Sequence, residues 1–253
     1  MNKLSVVIAV KNGERDIRDC LESVKWVDEI VIVDEFSFDK TIEICEEYTN
    51  KIFQVVTGSI AGQKNFGIER TTGDWILSLD SDERTSSELV KEIKLKIDST
   101  DFEGYRVRFK TYFLDRWIRH FGWFEYGEQI RLFKGKRYFT SVKYNARIVM
   151  EDKIGFLKEP IIHYSYHSLS EYFEKINRYT TYQAEDLFKM GVRIKPYTFF
   201  WYFFLKPVIL TLRKYFLKGG YKEGIYGFLL SMFYFFFVFG IHAKLWEMQK
   251  DES

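Results

Sequence analysis

The feature that most constrains the fold is a rhythm in the first hundred residues, where short β-branched runs alternate with helix-period segments. Leu4–Val10 is continuously apolar and reads as a strand buried on both faces. Ile17, Cys20, Leu21 and Val24 then recur at helical spacing. Glu29–Val33 is a second strand and ends at Asp34. Asp39 and Thr41 are placed to cap a second helix, with Ile42 and Cys45 on its inner face. Lys51–Val56 is a third strand, Gln63–Arg70 a helix, and Trp75–Leu79 a fourth strand ending at Asp80. Ser86 caps a helix running to about Ile97, with Leu89, Ile93 and Ile97 on one face. Such a series predicts an α/β fold, a mainly parallel sheet flanked by helices.

The rest of the chain differs. Tyr105–Phe109, Ile130–Phe133, Ala146–Met150 and Ile161–Tyr164 read as strands, and Leu169–Met190 as a long helix. Tyr197–Leu212 is apolar except for Lys206, and Pro207 predicts a kink. The expected organisation is two halves of one domain, 1–100 and 101–190, followed by a helical tail, 191–253. With 29% charged residues the chain must be mostly a soluble globule, and a net charge of +2 leaves no expectation of a nucleic-acid partner. Two cysteines, Cys20 and Cys45, make neither a zinc site nor a disulfide framework, and are expected in the core in a reducing compartment. The apolar run after Lys3 is too short for a secretory signal and lacks a cleavage site, so the N-terminal part is expected to stay where it is made.

In an open parallel sheet, ligands bind beyond the carboxyl ends of the strands. Lys11 and Asn12 follow the first strand, Asp34, Ser37 and Asp39 the second, and Asp80, Ser81, Asp82 and Glu83 the fourth. Asp80 and Asp82, two positions apart on a strand-end turn, can share one divalent cation such as Mg²⁺ or Mn²⁺. A cation there can bridge a nucleoside diphosphate and stabilise it as a leaving group. Acidic pairs also occur in plain exposed turns; the place directly after an apolar strand favours the metal reading. Asp34 is either an acceptor for a nucleobase or ribose, or a turn and capping residue. Lys64 either approaches the nucleotide or lies on a solvated helix face.

Four segments carry a resemblance. Val6-Val7-Ile8-Ala9-Val10-Lys11-Asn12, Asp34-Glu35-Phe36-Ser37-Phe38-Asp39, Gly62-Gln63-Lys64-Asn65 and Leu79-Asp80-Ser81-Asp82-Glu83 resemble, in order and spacing, family 2 glycosyltransferases of GT-A (Rossmann-like) fold. Phe113-Leu114-Asp115-Arg116-Trp117-Ile118-Arg119-His120, Gln129-Ile130-Arg131-Leu132-Phe133, His163-Tyr164, Asn177-Arg178-Tyr179-Thr180-Thr181 and Lys244-Leu245-Trp246-Glu247 are similar to the branch that includes lipopolysaccharide inner-core β-1,4-glucosyltransferases. The resemblance implies that Asp34 recognises uracil or ribose and that Lys11, Asn12 and Lys64 line the nucleotide pocket. It implies that Asp82 ligates the metal and that Asp80 contacts ribose or metal. Branch members often carry a His-Glu pair where this chain has Val142-Lys143-Tyr144-Asn145, so no role of that pair carries over.

Inversion at a sugar carbon needs one carboxylate to take the acceptor's proton. Glu128 and Glu125 are the candidates, and Glu128 better fits the acidic position before Gln-x-Arg-Leu-Phe. Arg116, Arg119 and His120 either bind a phosphate or form an amphipathic surface segment. The implied activity is inverting transfer of a hexose, glucose from UDP-glucose, to a lipid-linked saccharide such as lipopolysaccharide core. The alternatives are transfer to polyprenyl phosphate or another surface glycan, and a non-catalytic nucleotide-sugar sensor.

Gly224–Ala243 contains no Asp, Glu, Lys or Arg and is long enough, at roughly 30 Å, to span a bilayer. Its glycines, its many phenylalanines and the preceding Arg213, Lys214, Lys218 and Lys222 favour lying in the interface. The expectation is monotopic attachment of amphipathic or hydrophobic helices to the cytoplasmic face of the inner membrane. One true span and a buried interface in a homo-oligomer are the alternatives.

Overall fold

The computed structural model describes residues 2–124, 128–140, 146–151 and 153–251. The chain forms two compact units: Met1–Thr111 with Gly127–Ser141 and Asn145–Ser165, and Tyr112–Tyr126 with Val142–Tyr144 and Tyr166–Ser253.

The first unit begins β1 (Leu4–Val10), α1 (Ile17–Val24), β2 (Glu29–Asp34), α2 (Thr41–Glu46), β3 (Ile52–Gln54), α3 (Ile60–Glu69) and β4 (Trp75–Asp80). It continues β5 (Glu83–Arg84), α4 (Ser87–Asp98) and β6 (Gly104–Val107). β7 (Phe109–Phe113) leads into the second unit, where it pairs with β8 (Arg116–Trp117) through Tyr112 and Phe113. β9 (Gln129–Lys134), β10 (Ile154–Phe156) and most of β11 (Ile161–Tyr166) belong to the first unit. Seven strands make its sheet in the order β10-β6-β9-β4-β1-β2-β3. β1, β2, β3 and β4 are mutually parallel, and β9 runs antiparallel to β4 and β6.

Alternation along β1 explains why the sheet is covered twice. Val6, Ile8 and Val10 pack with Ile17 and Leu21 of α1 and with Leu89 and Ile93 of α4. Val7 faces the other way, with Val31, Val33, Ile68 and Ile76. α3 sits close on that side because Gly67 has no side chain: a Cβ there would lie 2.5 Å from Val7 Cγ1 and 2.8 Å from Val33 Cγ2. Both cysteines are buried in the core and free.

Several expected boundaries move. α3 starts at Ile60, because Ser59 Oγ accepts from Gly62 N at 3.0 Å and caps it. Asp39 does not cap α2, whose N-cap is Lys40; its carboxylate accepts from Thr41 N at 3.1 Å and Glu14 N at 3.1 Å. β3 is short, and Val56 beyond it is 69% exposed. Ala146–Met150 is not a strand: Ile148 makes an isolated bridge to Phe139, and the edge strand is Ile154–Phe156 instead.

In the second unit, α5 (Leu169–Lys189) is capped by Ser168 Oγ, which accepts from Glu171 N at 3.1 Å. α6 (Lys206–Leu212) lies between π-helical turns Trp201–Leu205 and Arg213–Leu217, and α7 (Ile225–Asp251) closes the chain. The effect of Pro207 is a widened turn just before it: Lys206 N bonds to Trp201 O, five residues back. Lys244 Nζ joins α7 to α5, donating to Asn177 O at 2.6 Å, Asn177 Oδ1 at 2.7 Å and Thr181 Oγ1 at 2.7 Å. Buried Glu223 holds the segment after β8, accepting from Arg119 N at 3.0 Å, His120 N at 2.8 Å and His120 Nδ1 at 2.8 Å. Within α7, Ile225–Lys250 has a mean hydropathy of 1.8 over its most apolar window, of which one third is buried.

Candidate active site

β1, β2 and β4 end side by side in register, Val10 opposite Asp34 and Ala9 opposite Asp80. The side chains that follow these strands therefore collect at one edge of the sheet. Asp80 stands between two cations: Lys64 Nζ lies 2.6 Å from Oδ1 and Arg131 Nη2 lies 3.2 Å from Oδ2. Arg131 Nη2 also meets Glu83 Oε1 at 2.9 Å, and Glu83 Oε2 accepts from Asp80 N at 2.8 Å. Lys64, Glu83 and Arg131 are all buried.

Each residue reaches this point for a local reason. In the Gly62-Gln63-Lys64-Asn65 run, a Cβ at position 62 would lie 2.8 Å from Thr57 Cβ, so glycine lets the first turn of α3 close on that threonine. Asn65 pairs with the Phe139 backbone, its Nδ2 donating to the carbonyl at 3.0 Å and its Oδ1 accepting from the amide at 2.8 Å. Between them Lys64 points inward, its Nζ 5.1 Å from the centroid of the Phe139 ring. Arg131 is the extra residue of a β-bulge: Tyr105 pairs with Leu132 and the next residue, Arg106, with Ile130. A bulge re-aims one side chain out of the regular alternation, which is how an arginine in an apolar strand reaches two carboxylates.

Asp82 follows on the turn after β4, and His163 Nε2 lies 3.4 Å from its Oδ1. The pairing of β11 with β5, His163 opposite Glu83, brings the imidazole there, and Tyr164 N donates to Asp82 O at 2.9 Å. Burial opposes the charge on Asp80, but Lys64 and Arg131 outweigh it and hold its carboxyl well below the usual range. Burial pushes Glu83 up against the pull of Arg131. Burial also lowers Lys64, with Arg131 adding to the effect. For His163 burial acts downward, but Asp82 outweighs it and the imidazole is raised.

Among the described residues, no three His, Cys, Asp or Glu side chains are grouped to hold a metal ion by themselves. Asp82 and His163 nonetheless form a two-donor set of oxygen and nitrogen. Mg²⁺ characteristically takes one or two carboxylates and completes its shell with water and substrate phosphates, and imidazole suits transition metals. The residues present thus fit a cation that depends on a diphosphate for its remaining ligands.

The sequence pattern of glycosyl transferase family 2 matches residues 5–165, the stretch that carries Lys64, Asp80, Asp82, Glu83, Arg131 and His163. The chain belongs to that family. Among relatives of this family 2 glycosyltransferase, a Rickettsia felis glycosyltransferase is 31% identical over 98% of this chain and 90% of its own length. The lipopolysaccharide core biosynthesis glycosyltransferase LpsC of Rhizobium meliloti is 28% identical over 96% of this chain and 92% of its own length. The fold matches the crystal structure of residues 1–349 of TarS from Staphylococcus aureus in complex with UDP, with a TM-score of 0.51 and 20% identity. That match covers 72% of this chain and 65% of the TarS chain. The architecture is a GT-A-like mixed α/β fold, with an apolar C-terminal helix in addition.

The structure brings Lys64, Asp80 and Asp82 together. Lys64 does not lie on a solvated helix face. Asp34 is fully buried, with its carboxylate accepting from Ser37 N at 2.8 Å, Ser37 Oγ, and Gln54 Nε2 at 3.1 Å. It thereby holds the loop after β2. Asn12, at φ +50°, meets the same loop: its amide donates to Ser37 Oγ at 2.7 Å and its Oδ1 accepts from Phe38 N at 3.0 Å. Lys11 pairs with Glu35 at 3.0 Å and stays half exposed. Glu128, just before β9, has Arg108 Nε 3.4 Å from its Oε1. Glu125 lies outside the described residues, as does Val142–Asn145. Glu83, Arg131 and His163 join the site without a role assigned from sequence. Glu83 stands in the Leu79–Glu83 segment, Arg131 in Gln129–Phe133 and His163 in His163-Tyr164, but neither a bulge nor the β5–β11 pairing is visible in hydropathy.

Proposed function

We propose that this family 2 glycosyltransferase moves a hexose, with inversion, from a uridine diphosphate sugar to a lipid-linked saccharide. The observation that carries the reading is the Lys64–Asp80–Arg131–Glu83 network beside Asp82 and His163, at the carboxyl edge of the parallel strands. TarS, solved with UDP and with UDP-GlcNAc, supports a uridine diphosphate donor. The name of LpsC supports a lipopolysaccharide core acceptor. Glucose as the sugar follows from the branch resemblance.

In this reading Asp82 and His163 would hold Mg²⁺ or Mn²⁺ beside the donor's diphosphate. The bound cation would neutralise charge on the departing nucleotide. Lys64 and Arg131 keep Asp80 ionised and fixed at the strand end, where it meets the ribose or the metal. Asp34 and Asn12 fix the β2 loop that borders the nucleoside, and Lys11 flanks it. Glu128 takes the acceptor hydroxyl's proton, with Arg108 orienting its carboxylate; Glu125 is the alternative base. The second unit attaches in the plane of the cytoplasmic membrane face, supported by the exposed Phe200, Trp201, Phe204, Phe216, Leu217 and Phe228.

Radiolabelled sugar transfer to membrane lipid extract tests this reading. UDP-glucose should label the lipid fraction only with divalent metal present, and Glu128→Gln should slow transfer by about 10²-fold or more. If Glu128→Gln keeps full activity, the assignment of the base is wrong. No lipid labelling from any UDP-hexose removes the acceptor class.

A further inference from the structure

A cavity of about 500 Å³ lies within the second unit, between α5, α6 and α7. Its walls are aromatic and aliphatic, with Trp123, Tyr172, Ile176, Leu210, Phe237 and Ile241 among them. Two lysines, Lys206 and Lys214, also line it, and no described lining residue is Asp or Glu.

The two ammonium groups are held differently. His242 Nδ1 lies 2.7 Å from Val238 O, a pure acceptor, so it carries the proton. Nε2 is then a lone-pair acceptor, and Lys206 Nζ donates to it at 3.1 Å. Lys206 is thus satisfied by a neutral imidazole. Lys214 Nζ donates to Phe121 O at 3.2 Å and lies 5.5 Å from the centroids of Phe121 and Tyr234. Burial lowers its pKa, and the nearby charges of Lys218 and Arg213 lower it further. Gly122, at φ +78°, stands beside it, where a Cβ would be 3.4 Å from Lys214 Nζ, an ordinary contact. The nearby Glu223 is committed to His120 and the Arg119 and His120 amides.

Among the described residues no carboxylate meets the Lys214 ammonium, and a partly desolvated ammonium is costly unless an anion meets it. The apolar walls then define the rest of the ligand. We propose that this cavity binds a phosphorylated amphiphile, its phosphate at Lys214 and its alkyl or isoprenoid chain along Ile176, Leu210 and Ile241. A phosphate monoester carries about −1.5 to −2 charge near neutral pH, and its several oxygens suit the Lys214 ammonium lining an apolar cavity. Lys206, two helical turns away, is held by His242 and is not the phosphate ligand. The site stands independently of sugar transfer, because every group in it belongs to the second unit.

Calorimetric titration of the full chain with octyl phosphate, octanol and inorganic phosphate tests this without any donor sugar. Octyl phosphate should bind at least about tenfold more tightly than either of the others, and Lys214→Gln should remove about that factor, the worth of one charge-assisted hydrogen bond. Lys206→Gln should change it little. Ile241→Trp, which fills the cavity, should also abolish binding while leaving Lys214 in place. Equal binding of inorganic phosphate would make this a free-anion site, and equal binding of octanol a plain apolar crevice; either overturns the proposal. So does unchanged octyl phosphate affinity in both Lys214→Gln and Ile241→Trp.

Discussion

Replacing Arg131 with methionine isolates the interaction that organises the sheet edge. The arginine side chain is 6% exposed and Glu83 is 1% exposed, so solvent cannot replace the lost partner. Methionine keeps an apolar stem but deletes the guanidinium, which lies 2.9 Å from Glu83, 3.2 Å from Asp80 and 5.1 Å from the centroid of the Phe109 ring. Asp80 retains Lys64, whereas Glu83 keeps, among the described hydrogen-bond donors, the Asp80 amide. Breaking a buried pair from one side typically costs about 3–5 kcal/mol, because an uncompensated charge stays behind. At roughly 2–4 °C per kcal/mol for a chain of this size, melting should fall by about 6–20 °C. Adding Glu83→Gln removes the stranded charge while keeping an amide that can accept from Asp80 N. The double variant should therefore recover at least half of the loss. Differential scanning calorimetry of the four proteins of this cycle measures the coupling directly. A melting point for Arg131→Met within about 2 °C of the parent, or a double variant no better than the single, would show that the pair does not hold the edge together.

Other perturbations follow from individual contacts. Gly227→Ala should destabilise the second unit by at least about 2 kcal/mol in urea unfolding, because the new Cβ would meet the Gly220 carbonyl oxygen at 1.8 Å. Glu223→Ala strands two backbone amides and His120 and should cost about 2–4 kcal/mol by the same assay. Glu29 accepts from Lys51, Ser5 and Thr72; burial opposes ionisation, but these donors prevail and lower its pKa to about 2. Since its folded value lies below its unfolded one, the stabilisation is complete above about pH 4.5 and is lost as pH falls towards 2. Acid titration followed by circular dichroism should show a shallower loss across that range in Glu29→Gln than in the parent.

Much of the first unit is legible in the sequence because each element repeats a simple pattern. β1 is apolar at every position since helices cover both faces, and its neighbours end at the same sheet edge. Asp80, Asp82, Asp34 and Lys64 could therefore be gathered from strand ends and motifs alone. What they would touch was less accessible. Lys64 has the look of a surface lysine; only the Asn65 clamp on Phe139 and the position of Asp80 turn it inward. Arg131 is carried by a one-residue bulge, and His163 by a strand pairing between residues eighty apart in sequence. Neither leaves a periodic signal. Ala146–Met150 looked like a strand, yet Val149 is 73% exposed and only Ile148 bridges a neighbour. In the second unit, the segments Asn177–Thr181 and Lys244–Glu247 first appeared as resemblance alone. The three hydrogen bonds of Lys244 now give them a physical reason: they lock α5 to α7.

The most direct test of the sugar-transfer claim is release of UDP from UDP-glucose by the purified chain, with and without Mn²⁺ or Mg²⁺. Release should depend on metal, be lost on chelation, and be slowed by at least about 10²-fold in Asp82→Ala, the scale of a removed electrostatic contact at a reacting centre. Release that is indifferent to chelation, or an Asp82→Ala protein as fast as the parent, would contradict that claim.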